Sequence, residues 1–442
     1  MQTIIQAVEK NRQLILDAER YIWAHPETGY KEWKTNAYLA EQFRALGYEL
    51  VMAEDIPGFY TVLDTGRKGP EVLVLGELDS IICPNHPEAD PETGAVHSCG
   101  HNAQSATLLG IAAALKEPGM LDRLCGRIRL CAVPAEELLE IEYRRELMKA
   151  GKIRYFGGKP EFLSRGYFDG VDLALMVHTA SIFCASQGSV GCIAKNIIYK
   201  GKAAHAGGAP HEGINALYAA SCGLNAINAI RETFRERDQI RVHPIITSGG
   251  DMVNAIPETV RLESYVRGAD FESILSENKK VNRALIGAAL SIGANIEIID
   301  MPGYAPLNND EGMTAVAIDA FHALFPNENF PVGKNKGTGS TDMGDLSCIM
   351  PVVHPYSAGA SGTSHGNDFQ ISDPQKACVD CAKWQLAMLR LLLENNAARA
   401  EQILADFTPL FKTAQDYLAY VDTIRSEGDR IEYTEDGAKI RL

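Results

Sequence analysis

Residues 71–80, EVLVLGELDS, form a near-continuous apolar run that finishes on two carboxylates, Glu77 and Asp79; residues 102–117, NAQSATLLGIAAALKE, follow after a polar stretch. An apolar run without polar alternation reads as a strand buried on both faces, and the segment after it has helical spacing. The pattern repeats on either side. Residues 15–27 (ILDAERYIWAHPE) and 34–47 (KTNAYLAEQFRALG) are helical in periodicity, whereas residues 126–137 (GRIRLCAVPAEE) and 172–180 (DLALMVHTA) read as further strands. Buried strands alternating with helices specify an α/β fold, a mostly parallel sheet covered by helices on both faces.

Near Gln187 the texture changes. Residues 189–206 (SVGCIAKNIIYKGKAAHA) and 259–269 (TVRLESYVRGA) alternate as strands do, and two helical segments lie at residues 214–234 and 272–293. An α+β domain is therefore expected at 187–305, inserted into a larger, discontinuous domain made of 1–186 and 306–442. The α/β pattern resumes with a helix at EGMTAVAIDAFHALF (311–325), a strand at CIMPVVHPY (348–356) and a long helix from Pro374 to Asn396. The purpose of the tail beyond residue 400 is not legible.

The chain has 442 residues, 46% of them hydrophobic and 22% charged, with a formal net charge of -15. That acidity disfavours nucleic acid and anionic membranes as partners, since both need a basic footprint. No stretch approaches the roughly 18 apolar residues of a membrane span, and the first residues lack the apolar core of a secretory signal, so a cytoplasmic protein is expected. The 10 cysteines, irregularly spaced, read as reduced thiols. Cys378 and Cys381 form a CxxC inside a strongly helical stretch, with no second ligand pair, and read as core packing.

In open α/β sheets chemistry gathers at the C-terminal ends of the strands, and these ends are loaded. One carries Glu77 and Asp79, another Glu136 and Glu137, a third His178, and the strand at 348–356 leads through a Gly/Ser-rich loop to His365. Cys99 and His101, in HSCGHNAQ (97–104), open the helix after the Glu77 strand. A helix N-terminus favours a thiolate, and Gly100 lets the chain bend so that both side chains point one way. Cys99, His101, Glu137, His178 and His365 together make the ligand set of zinc and its first-row neighbours. Five ligands exceed one tetrahedral ion and suit two ions sharing a bridge. Glu136 is then free as general base, because the adjacent Glu137 side chain is committed to metal.

With these residues in view, the sequence resembles the di-metal amidohydrolase and peptidase family of aminoacylase, carboxypeptidase G, hippurate and auxin-conjugate hydrolases and p-aminobenzoyl-glutamate hydrolase subunits. The resemblance rests on AHPETGYKEWKT, HSCGHN, VPAEE, FDGVDLALMVHT, KGKAAHAGGAP, GGDMVNAIPETV, GSTDMGDLS and SGTSHGNDF, in order from residue 24 to 369. The Cys-Gly-His form marks the branch with cysteine in place of a bridging aspartate. The resemblance implies a zinc-exopeptidase-like catalytic domain with two divalent ions per subunit, zinc or manganese, and an inserted lid that makes a homodimer. It implies the five metal ligands already named, Glu136 as base, and His205 reaching into the partner subunit's site to stabilise the oxyanion. It further implies Asn254 and Arg267 holding the substrate's carbonyl and carboxylate.

Three features depart from the family. Asn102 and Gln104 replace the Asp and the second His that many relatives carry, a form like the p-aminobenzoyl-glutamate and β-alanyl dipeptide branch. Glu77 stands where other branches have a metal-binding His, so Asp79 is taken as supporting a ligand and Glu77 is left without a role. Residues 138–162, LLEIEYRRELMKAGKIRYFGGKPEF, are a polar insertion without an assigned purpose. The function expected is metal-dependent hydrolysis of an amide next to a free carboxylate: an N-acyl amino acid, an aminobenzoyl-glutamate-like conjugate or a small dipeptide. The alternative, a catalytically silent relative that binds a metabolite or serves as a scaffold, is opposed by the complete set of ligands and both glutamates. A thiol hydrolase using Cys99 is weaker, since a cysteine two residues from His101 suits a shared metal better than proton transfer.

Overall fold

The computed structural model describes residues 1–442. In chain order the strands that build its two principal sheets are β1 (Val51–Met52), β2 (Phe59–Asp64), β3 (Glu71–Glu77), β4 (Arg127–Val133), β5 (Leu173–Leu175), β6 (Gly191–Lys200), β7 (Arg241–Val242), β8 (Ile245–Ser248), β9 (Thr259–Gly268), β10 (Asn295–Tyr304) and β11 (Val352–Val353). The first sheet runs β1-β2-β4-β3-β5-β11. Its inner pairs, β3 with β4, β3 with β5 and β5 with β11, are parallel, and β2 is antiparallel to β4.

Every residue of β3 is buried. Val72 and Val74 enter one core while Leu73 and Leu75 enter another on the opposite face, the period-two alternation of a strand covered on both sides. That is why its sequence reads as continuous apolar. The helix α1 (His101–Leu115) is likewise buried along all 15 residues. Its Ala-rich sequence lets it pack between the sheet and the outer helices, where an amphipathic helix would bury polar groups.

The second sheet, β7-β9-β6-β10 with β8 also on β9, lies wholly between Gly191 and Tyr304. Two helices, α2 (Ala216–Ile230) and α3 (Phe271–Ile292), pack on it through a core of their own. Asp270 caps α3 in a box with Ser273, and Gly293 ends it in the left-handed conformation, the cap chemistry expected at each end. The chain enters and leaves this inserted unit, the expected lid, side by side, with Gly188–Ser189 paired to Leu307–Asn308.

Two segments without a sequence-level role acquire one. Residues 138–162 contain helices at Ile141–Lys149 and Gly158–Ser164, and they pack against the tail through Arg145–Glu427 at 2.8 Å and Tyr155 to Asp422 at 3.1 Å. The tail helix Ala414–Asp422 buries Tyr417, whose hydroxyl donates to Asp345. The sequence groups all of 306–442 with the larger domain; residues 426–430 instead pair with the lid's outer strand β10. Asp300 N–H donates to Ser426 O at 2.7 Å, Ser426 N–H to Asp300 O at 2.9 Å and Arg430 N–H to Ile296 O at 2.8 Å. The tail thereby covers an edge that would otherwise expose unpaired backbone.

The expected long helix from Pro374 opens with a π-helical segment, Gln375–Asp380, and continues as Cys381–Asp406 with a kink at residues 394–397. Cys378 and Cys381 are buried in the core there, and all ten cysteines are free thiols. No helix is long and apolar enough to cross a membrane.

Candidate active site and metal centre

The parallel strands deliver their carboxylates and imidazoles to one edge. Cys99 Sγ lies 3.4 Å from His178 Nε2 and 3.4 Å from His365 Nε2, and His365 Nε2 lies 3.1 Å from Glu137 Oε1. Three groups of possible ligand atoms result, each within 4.8 Å of one another: two triads that contain the thiol, Cys99-His101-His178 and Cys99-Glu137-His365, and a third, Glu77-His101-Glu136, without it. Cys99 belongs to the first two. A single thiolate shared by two triads is the arrangement that two cations with one bridging ligand require.

Local conformation explains why these side chains converge. Gly100, at the N-cap of α1, has φ +84, and a Cβ there would stand 2.9 Å from Thr179 Cβ. Only glycine fits the reversal that turns Cys99 and His101 the same way. Ala135 and His365 also have positive φ, 57° and 62°, each costing about 1–2 kcal/mol. Their surroundings hold them there: Ala135 N–H donates to Glu32 Oε1 at 2.7 Å, and His365 N–H to Ser98 O at 2.9 Å.

The imidazole tautomers follow from fixed partners. His101 Nδ1 faces the Asp79 carbonyl at 3.0 Å and Asp79 Oδ1 at 3.2 Å, and His178 Nδ1 faces the Thr179 carbonyl at 2.8 Å. A carbonyl only accepts, so Nδ1 carries a proton in both rings; His178 Nε2 turns toward Cys99 Sγ, and His101 Nε2 toward Glu77 Oε2 at 3.3 Å. His101 Nε2 has no hydrogen-bond partner although it is fully buried. A buried ring nitrogen without a hydrogen-bond partner, set among a thiol and carboxylates, is placed where a ligand atom would stand. Asp79 also accepts from Glu137 N–H at 2.7 Å through Oδ2, so it orients two of the candidate ligands at once.

Electrostatics point the same way. Burial and the Glu137 carboxylate push the Cys99 thiol up, but the imidazoles of His101 and His178 outweigh them and bring it down to about 6. His365 is raised to about 11, chiefly by Glu137. Burial works against the charge on Glu137, yet His365 lowers it to about 2. Without an ion the imidazoles supply the positive charge that holds Cys99 and Glu137 anionic, the part a divalent cation would take. Glu136, 3.9 Å from His101 Nε2, belongs to neither of the Cys99 triads and stands in the third group with Glu77 and His101; burial, then the charges of Glu77 and Glu137, pushes its carboxyl well above the usual range.

Sequence reasoning missed several residues. Lys159, from the insertion, is fully buried and donates to Glu77 at 2.6 Å and to Asp342, while Glu77 Oε2 lies 3.3 Å from His101 Nε2. Glu77 and Asp342 therefore form a buried ion pair with Lys159 behind the ligands. His354 follows β11 as His178 follows β5, and the rings are 5.8 Å apart; its place at a strand end was the available signal. Tyr265 and Tyr304 come from the lid strands, and no motif marks them.

Between the ligand edge and the lid is a cavity of about 360 Å³. Cys99, Glu136, Glu137, His178 and His365 line one side, with Tyr265, Arg267 and Tyr304 across from them. Arg267 therefore faces the ligand edge within one chain. His205 and Asn254 do not line this cavity. Both are exposed on adjoining lid loops, where Ala206 N–H donates to Asn254 O at 3.0 Å. His205 Nδ1 accepts from the N–H groups of Gly207 at 3.1 Å and Gly208 at 2.9 Å. In the neutral ring the proton is then on Nε2.

Residues 74–390 match the profile described as Peptidase family M20/M25/M40. A thermostable carboxypeptidase 2 of Saccharolobus solfataricus is 30% identical over 323 residues, 69% of this chain and 76% of the relative. The Xaa-Arg dipeptidase of Mus musculus is 26% identical over 365 residues, 76% of this chain and 74% of that protein. Among solved structures, a Bacillus subtilis protein described as a dinuclear metal binding peptidase from the M20 family aligns with a TM-score of 0.63 at 19% identity, covering 87% of this chain and 99% of its own.

Proposed function

The chain belongs to peptidase family M20/M25/M40 and is a metallo-amidohydrolase or peptidase, and from that premise we propose that it cleaves an amide bond next to a free carboxylate. N-acyl amino acids, aminobenzoyl-glutamate-like conjugates and small dipeptides are the substrate class. The observation that carries this reading is the pair of triads sharing Cys99, with Glu136 beside them, facing Arg267 across one cavity.

Cys99, His101 and His178 would hold one divalent ion and Cys99, Glu137 and His365 a second, zinc or manganese. Bound there, the ions supply Lewis acidity to the amide carbonyl and to the attacking water. Glu136 takes the proton of that water and returns it to the departing nitrogen, since it is the cavity carboxylate that neither ion claims. Arg267, with its planar fork of donors, binds the substrate carboxylate and so fixes which amide reaches the ligand edge. His205 and Asn254 are assigned to the site of a second copy of the chain in a homodimer formed through the lid. Two features support this: both loops are exposed and outside their own cavity, and His205 presents an Nε2–H outward, the donor an oxyanion needs.

The test is Glu136→Gln. The variant is expected to retain the metal content of the parent and to lose about 10²–10⁴-fold in turnover, measured by mass spectrometry on a panel of N-acyl amino acids and dipeptides. Near-full activity in this variant would overturn the assignment of the base.

A further inference from the structure

The loop carrying both glutamates is held by its backbone, and two of the holds come from the lid. Tyr304, at the end of β10 and buried, donates its hydroxyl to the Glu136 carbonyl; Tyr265, on β9, donates to the Leu138 carbonyl. From the other side the guanidinium of Arg144, buried in the polar insertion, donates to the carbonyls of Glu137, Phe156 and, at 3.4 Å, Ala135. Asp79 and Glu32 take the Glu137 and Ala135 amides. With Gly158 N–H donating to the Ala135 carbonyl at 3.2 Å, the polar backbone from 135 to 138 is thus fastened at seven points, and the two tyrosine hydroxyls are spent on carbonyls rather than on the Glu136 carboxylate.

We infer that Tyr304, supported by Tyr265, is a positioning residue: its hydroxyl ties the Glu136 carbonyl to the lid and so sets where the carboxylate stands relative to the substrate. The loop begins at Ala135 with a left-handed residue, a conformation that relaxes when its neighbours no longer enforce it. A lid that shifts therefore shifts the base with it. The tail segment 426–430 on β10 steadies the same element, because Tyr304 lies four residues beyond Asp300, where the tail is hydrogen-bonded. Tyr304 thereby makes lid position a determinant of turnover, separate from the carboxylate binding assigned to Arg267.

This inference rests on Glu136 being the base, and the experiment separates the two. Tyr304→Phe keeps the ring and removes the hydroxyl. Expected are a fall of about 10- to 100-fold in kcat, the scale of a misplaced reacting group, with KM changed less than about threefold, and faster amide hydrogen exchange in the 133–139 segment. Tyr265→Phe, at a half-buried position, should shift both readouts in the same direction by less, and it decides the matter if Tyr304→Phe does not fold. Unchanged exchange in the loop, unchanged kcat, or a loss confined to KM overturns the inference. If Glu136→Gln is fully active, the functional reading fails instead; a dead Glu136→Gln beside a normal Tyr304→Phe sinks only the positioning role.

Discussion

Two regions that the family resemblance ranks together as active-site elements are built in opposite ways. The Glu136–Glu137 loop is buried and its backbone is fastened by Glu32, Asp79, Arg144, Tyr265 and Tyr304. The His205 and Asn254 loops are exposed, hydrogen-bonded mainly to each other, and outside the cavity. A group that must hold a ligand or move a proton at a fixed atom needs its geometry over-determined. A group that completes a site only on association needs to be reachable, and rigidity can come from the surface it meets. The difference separates what one chain finishes from what it offers to another, and each half can be attacked separately.

The largest expected effect is at the shared ligand. Cys99→Ala removes the one side chain common to both triads, so both ions should be lost together, and turnover should fall to background. Metal analysis of the purified variant checks this. One ion retained at full occupancy would mean that the triads are independent and that Cys99 is not a bridge. The distant loops should be silent in the same assay: neither His205→Ala nor Asn254→Ala should change metal content.

His205→Ala comes next, with a loss of about 10²–10³-fold in turnover, the scale of one missing oxyanion donor. The sharper form is subunit mixing. His205→Ala chains combined with Glu136→Gln chains should recover activity, because a mixed dimer has one site with its own base and a donated imidazole. A mixture that stays inactive after subunit exchange has been verified assigns His205 to its own chain or to no role.

The parts legible in the sequence share a physical reason. Glu77, Glu136, Glu137 and His178 each follow a buried apolar run directly, and a parallel sheet sends all such ends to one edge, so local pattern determines global placement. Cys99 and His101 are legible because a glycine between two ligands at a helix start has few other uses. Lys159, Arg144 and Tyr304 carry no such pattern. Each acts through a partner remote in sequence: Lys159 with Asp342, 183 residues away, and Tyr304 with Glu136, 168 away. Their chemistry arises when the chain closes on itself. The same holds for the tail, whose polar sequence gives no sign that residues 426–430 will pair with β10. Burial gives the polar insertion, which has no legible purpose in the sequence, a place behind the glutamate loop, with Lys159 and Arg144 almost wholly enclosed. His205 and Asn254 were reached by resemblance alone, and an exposed loop offers little else to read.

The smallest effect tests the boundary between the two halves. Arg267 lies on the lid, like His205, yet it lines the cavity of its own chain. It should therefore behave as part of the completed site. Arg267→Met removes a charge-assisted contact worth about 1.5–3 kcal/mol, which is roughly a 10- to 100-fold fall in kcat/KM, carried mostly by KM for substrates with a free carboxylate and nearly absent for amidated ones. Mixing separates it from His205. Combined with Glu136→Gln, the Arg267→Met chain should not regain activity, because one site of the mixed dimer lacks the base and the other lacks the anchor. Combined with His205→Ala it should, because the site built on the His205→Ala chain keeps its own Arg267 and receives an intact histidine. Recovery in the first mixture would mean that Arg267 serves the partner's cavity, and the lid as a whole, rather than its exposed loops alone, would have to be reassigned to the neighbouring site.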